Sequence, residues 1–198
     1  SIDSYTKKVV ASHFQQNGNL PNWLRELGKI EDFINPPGWR KFFRQDPSTE
    51  VTVRGEADAI FQLEGGSFLI LDYKTSKYNP KRIRTMQVYE IQLNAYAWIA
   101  EGMGYSPVNK LYLAFMEPKS DGNYASSPDS VNSNGFSLGF KARLVPVRRR
   151  PESLIPPILE KVLEVADMEK PPQRTKCRDC DNLDSIVVKI ARGEAIGF

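Results

Sequence analysis

The chain has 198 residues, of which 40% are hydrophobic and 26% charged, with a formal net charge of +3. That is enough apolar material for one buried core and too much for a disordered chain. Two cysteines are too few for a disulfide-stapled secreted scaffold of this size. No run is long and apolar enough to span a bilayer and no signal-peptide pattern opens the chain, so a cytoplasmic, soluble protein with no membrane role is expected.

The sequence reads as a single domain in three parts: a helical portion over 1–46, a core over 47–168, and a tail over 169–198 that carries Cys177-x-x-Cys180. In chain order, Tyr5 to Gln16 predicts a helix and Asn22 to Phe33 another. Pro36-Pro37-Gly38 breaks the chain, and Trp39 to Phe43 predicts a short aromatic turn of helix. Val51 to Leu63 alternates as a strand should, which would place Arg54, Glu56 and Asp58 on one face. Glu64-Gly65-Gly66-Ser67 is a hairpin turn signal. Phe68 to Tyr73 is almost continuously apolar, as expected of a strand covered on both faces. A basic loop, Ser76 to Arg82, leads to a helix from about Ile83 to Met103. Lys110 to Met116 predicts a strand, 119–135 a polar loop or long hairpin connection, and Phe136 to Val147 another strand. Pro156 or Pro157 can open a helix running to Ala166, and Leu183 to Arg192 a short one in the tail. The economical fold is α/β, a mixed central sheet flanked by helices.

The chemistry gathers between Gly55 and Tyr96. Asp72 and Lys74 are two apart on a strand and point the same way, with Tyr73 facing opposite. Asp58 lies on the preceding strand, one short hairpin away. Burying lone carboxylates beside Phe68-Leu-Ile-Leu71 would cost on the order of several kcal/mol. A divalent cation offsets that cost. Asp58, Asp72 and the Tyr73 carbonyl offer hard oxygen ligands suited to Mg²⁺ or Mn²⁺. Lys74 can then orient an attacking water or stabilise the transition state of a phosphodiester. Gln92 and Tyr96 are i and i+4, on one helix face; Tyr96 reads equally as a core aromatic. Glu56, on the expected face of Asp58, reads as a surface charge or as a base or metal contact behind the site. Lys77, Lys81, Arg82 and Arg84 follow the site closely and can hold phosphates. The Arg148–Arg150 run is either a second such patch or a solvated face.

Gly55-x-x-Asp58-x-Ile60, Leu71-Asp72-Tyr73-Lys74-Thr75 and Gln92-x-x-x-Tyr96 resemble the motifs of the PD-(D/E)xK nuclease superfamily. They are most similar to its RecB-like branch, which includes CRISPR adaptation exonucleases. The resemblance implies a restriction-endonuclease-like core and DNA hydrolysis with Mg²⁺ or Mn²⁺, on single-stranded DNA or DNA ends. It gives metal binding to Asp58 and Asp72, catalysis to Lys74, and support of the site and the DNA backbone to Gln92 and Tyr96. It makes His13, the only histidine, a candidate metal ligand, because relatives place an upstream His on the same ion. Relatives often hold an iron–sulfur cluster on four cysteines. With only Cys177 and Cys180, this chain is not expected to carry one; plain thiols, half a zinc site, or a site shared between chains remain. Two other functions stay open: a nucleic-acid-binding module that does not cut, and a nuclease subunit active only within a repair, phage or CRISPR complex.

Overall fold

The computed structural model of the protein describes residues 1–169. The chain divides into two compact units, Ser1–Leu159 and Glu160–Phe198. Cys177, Cys180 and the helix expected at 183–192 lie outside the described residues.

The first unit opens with α1 (Ile2–Asn17), one turn longer at its start than the sequence suggests, because the Ser1 side chain caps it by accepting from the Ser4 N–H. Gly18, at φ 68°, ends it, and its N–H donates to the Phe14 carbonyl. Residues Asn22–Leu27 form a 3₁₀ helix that buries Leu24 and Leu27. The helix expected through Phe33 stops there. Gly28 sits at φ 108°, a conformation L side chains avoid, and Ile30–Ile34 becomes strand β1. The reason is tertiary: β1 pairs antiparallel with β4 (Ala59–Leu63), which would otherwise be a bare sheet edge.

A second correction concerns residues 39–63. Trp39–Phe42 form a non-helical turn, and Phe43–Gln45 (β2) and Thr52–Arg54 (β3) make a small separate hairpin. The expected single strand Val51 to Leu63 breaks over 55–58, so Arg54, Glu56 and Asp58 do not share one strand face. Strand β5 (Phe68–Lys74) follows β4 through a hairpin turn with Gly65 and Gly66 at φ 94° and 83°. After α2 (Ile83–Gly102) the chain returns as β6 (Val108–Pro118), parallel to β5. The polar stretch 119–135 holds one helical turn, α3 (Gly122–Ala125). A two-residue hairpin follows, β7 (Val131–Asn132) against β8 (Gly135–Phe136). Strand β9 (Phe140–Val147) closes a five-stranded mixed sheet of order β1-β4-β5-β6-β9.

Helix α4 spans Pro151–Ala166. It begins at Pro151 rather than at Pro156 or Pro157, because the segment before it is fixed to α2. Asn94, fully buried, accepts from the Arg150 N–H and donates to the Glu90 and Arg148 carbonyls. Arg149 pairs with Glu101 and Glu152 and donates to the Val108 carbonyl, and Arg150 pairs with Glu90. Two of the three arginines in that run are therefore structural clamps.

Alternate residues of the sheet fill two cores. Ile60, Ile70, Leu111 and Leu113 pack with Leu93, Ala97 and Ile99 of α2. Ala59, Phe61, Leu69, Leu71 and Tyr73 pack with Val10 of α1 and with Leu24 and Leu27. No described helix is long and apolar enough to cross a membrane.

Candidate active site

The site forms where β4 runs out beside β5. Ala59 is paired with Leu71, so the register carried one step outward sets Asp58 across from Asp72. Beyond Ala59 no β4 residue continues the ladder, and the Asp58 side chain takes its place: the Tyr73 N–H donates to Asp58 Oδ2 at 2.8 Å. A strand residue directs its N–H and C=O to the same side. The Tyr73 carbonyl therefore faces the same gap.

Strand periodicity turns Asp72 and Lys74 toward α2 while Tyr73 packs toward α1, as the sequence implies. The Lys74 ammonium lies 2.6 Å from Asp72 Oδ2 and donates to Gln92 Oε1 at 3.0 Å. It also sits 4.3 Å from the centre of the Tyr89 ring, a cation–π contact. Gln92 Nε2 donates to the Tyr96 hydroxyl at 2.8 Å. Gln92 thus accepts from the lysine at one end and is braced by Tyr96 at the other. Tyr89, Gln92 and Tyr96 recur at three- and four-residue steps on one face of α2.

Asp72 is 3% exposed. Burial raises its pKa from 3.8 to about 6, with Lys74 pulling it down and the nearby Asp58 charge pushing it further up. The Lys74 ammonium, at 2.6 Å, is the charged partner of this buried carboxylate, on its Oδ2. Burial also raises the pKa of Tyr96 and Tyr73, so both phenols stay neutral.

The glycine of the first motif has a geometric cause. A Cβ on Gly55 would lie 2.5 Å from Tyr96 Cε1. The Tyr96 ring cannot simply retreat, because it packs edge-on against Phe42 at 6.0 Å and its hydroxyl holds Gln92. Gly55→Ala is expected to destabilise the fold by about 1–3 kcal/mol through this overpacking. Urea unfolding of the variant beside the wild type measures it.

The predicted site residues divide as follows. Asp58, Asp72, the Tyr73 backbone, Lys74, Gln92 and Tyr96 come together. Lys77, Lys81, Arg82 and Arg84 are all exposed in and after the loop that leaves Lys74, and none forms an ion pair among the described residues. Glu56 is exposed. The His13 carbonyl accepts from Asn17 Nδ2, and among the described residues His13 forms no hydrogen bond or ion pair with Asp58 or Asp72. The α1 residue that reaches Asp58 is Lys7, at 2.6 Å from Oδ1. His13 is six residues further on, about 9 Å along the helix and about 120° round it. Sequence reasoning missed Lys7 and Tyr89. The signals were an Asp3–Lys7 i,i+4 pair beside the buried face of α1, and an aromatic three residues before Gln92.

Among the described residues, no three His, Cys, Asp or Glu side chains converge as a metal cluster. The donor set is two carboxylates and one main-chain carbonyl, all hard oxygens. It fits a small divalent cation that keeps part of its water shell.

No curated protein matches the chain. One similar solved structure, titled "Crystal structure of SSO0001", has a TM-score of 0.40 at 11% identity, covering 85% of this chain and 61% of that one. So faint a likeness carries no argument here, and the chain spans under two thirds of that structure's length. The model of the PD-(D/E)XK nuclease superfamily, by contrast, matches residues 8–184, a span that takes in α1 from Lys8 on, the whole sheet and every motif described above. That match covers well over half of the 198 residues, and the chain belongs to the PD-(D/E)XK nuclease superfamily.

Proposed function

We propose that the protein is a Mg²⁺- or Mn²⁺-dependent deoxyribonuclease that hydrolyses phosphodiester bonds in single-stranded DNA or at DNA ends. The observation that carries this reading is the buried Asp72 carboxylate, opposite Asp58 and within 2.6 Å of a lysine that Gln92 holds in place. A fold gains nothing in stability from that arrangement, since desolvating the acid costs more than one partly exposed partner returns.

Asp58, Asp72 and the Tyr73 carbonyl would hold the metal. A divalent ion bound there supplies charge neutralisation at the phosphate and a more acidic water. The remaining work falls to the chain's own groups. Lys74, as an ammonium, has three donors and no acceptor. It acts by donating to a phosphate oxygen or to the attacking water, not by taking a proton. Gln92 accepts one of those donors and fixes the direction of the others. Tyr96 positions Gln92. The exposed Lys77, Lys81, Arg82 and Arg84 flank the site as phosphate contacts.

The motifs resemble those of RecB-like nucleases, and the proposal places the protein's action on DNA in the cytoplasm; a nuclease subunit active only within a repair, phage or CRISPR assembly is the alternative. The test is incubation of the pure protein with end-labelled single- and double-stranded DNA, with Mg²⁺, Mn²⁺ or chelator. Cleavage that requires the metal and favours single strands or ends is expected. A variant with the four loop cations changed to Ala should bind the same DNA more weakly, with a flatter salt dependence. DNA retention with no cleavage under any metal would make the protein a binding module. Cleavage only after adding a cell fraction would make it a subunit.

A further inference from the structure

Lys7 lies outside the nuclease motifs, yet its ammonium touches one of the two acids of the site. It contacts Asp58 Oδ1 at 2.6 Å and Asp3 Oδ2 at 3.0 Å, one helical turn back on α1. The other Asp58 oxygen already accepts the Tyr73 N–H. Oδ1 is therefore the oxygen left for a cation, and Lys7 holds it. The side chain is 34% exposed, so its four-carbon stem has room to swing. Around it, Asp3, Asp58 and Asp72 stand against Lys7 and Lys74, leaving one negative charge in excess.

A divalent ion bonds a carboxylate oxygen at about 2 Å. An ammonium left on the same oxygen would face it at close range in a partly buried setting, where like charges repel strongly. One of the two must leave. Asp3 gives Lys7 a second acid it already touches, so the exchange needs only side-chain rotation.

We propose that Lys7 is the exchangeable counter-ion of the metal site: it neutralises Asp58 when no divalent ion is present and yields Oδ1 to the ion by shifting onto Asp3. The inference rests on the metal-dependent reading above. It makes Lys7 a positioning residue that keeps the acid pair in place in the free protein and weakens metal affinity in doing so.

Calorimetric titration of the full chain with MnCl₂ at pH 8, without DNA, tests it. Lys7→Met should bind Mn²⁺ at least about tenfold tighter than wild type, because no internal cation competes. Asp3→Asn should bind more weakly, because the displaced ammonium loses its second partner. Lys8→Met removes the same charge from an exposed neighbour that pairs with neither acid, and should change affinity by less than about twofold through screening. In melting experiments Lys7→Met should lose stability without metal and recover it with Mn²⁺, to a larger degree than wild type. If Lys7→Met binds no tighter than wild type while Asp58→Asn abolishes binding, this proposal is overturned and the metal site stands. If the wild type takes up no Mn²⁺ at millimolar concentration, both fall. Should Lys7→Met not fold, Asp3→Asn decides alone, and an affinity at or above wild type overturns the proposal.

Discussion

Lys74→Ala is expected to lower the rate of DNA cleavage by about 10²–10⁴-fold, the range for losing one preorganised donor or acid–base group. The size of the effect follows from how tightly the ammonium is placed. It lies between the Asp72 carboxylate, the Gln92 amide oxygen and the Tyr89 ring, and its side chain is only 17% exposed. Alanine leaves all three behind. DNA retention should change only a few-fold, because the proposed phosphate contacts Lys77, Lys81, Arg82 and Arg84 remain. Single-turnover cleavage and filter binding measured on the same preparation separate the two effects. Gln92→Ala should show a milder form of the same defect, since the lysine keeps Asp72 but loses its direction. Cleavage by Lys74→Ala at the wild-type rate would remove the lysine from the mechanism.

The second large effect concerns Asp72 and is read without DNA. Its pKa is raised to about 6 in the folded protein against 3.8 for the free side chain. The folded state therefore holds this proton more tightly than the unfolded state does. The stability this lends is complete below about pH 4 and is lost as pH rises through about 6. Two pKa units amount to about 3 kcal/mol, or about 6–12 °C of melting temperature for a chain of this size. Asp72→Asn cannot titrate, so the melting temperature of the wild type should fall relative to that of the variant between pH 4 and pH 7. Adding Mg²⁺ or Mn²⁺ at pH 7 should restore the wild type and leave the variant unchanged. A pH-independent gap between the two proteins would mean that the carboxylate is not held out of water as the geometry requires.

The elements that position the chemistry were legible because their signals are local. Phe68-Leu-Ile-Leu is apolar on both faces, so a central strand follows, and its last acid and lysine must share a side. Gln92 and Tyr96 need only a helix to lie together. What the sequence hid is what distant partners decide. Ile30–Ile34 has the composition to continue a helix, and becomes a strand because β4 offers it an edge after the Gly28 turn. The strand expected over 51–63 breaks at Gly55, whose missing side chain makes room for Tyr96, forty-one residues on in α2. Arg149 and Arg150 look like a phosphate patch until Glu101, Glu90 and Asn94 are seen across from them. The same holds for Lys7 against His13. A resemblance points to the histidine, whereas helix phase and length bring the lysine to Asp58.

The most direct measurement is the anomalous scattering of crystals soaked at millimolar manganese. One peak is expected in the gap beyond Ala59, about 2 Å from an oxygen of Asp58, of Asp72 and of the Tyr73 carbonyl. An empty gap with both acids still covered by lysines, or manganese bound only elsewhere, would contradict it.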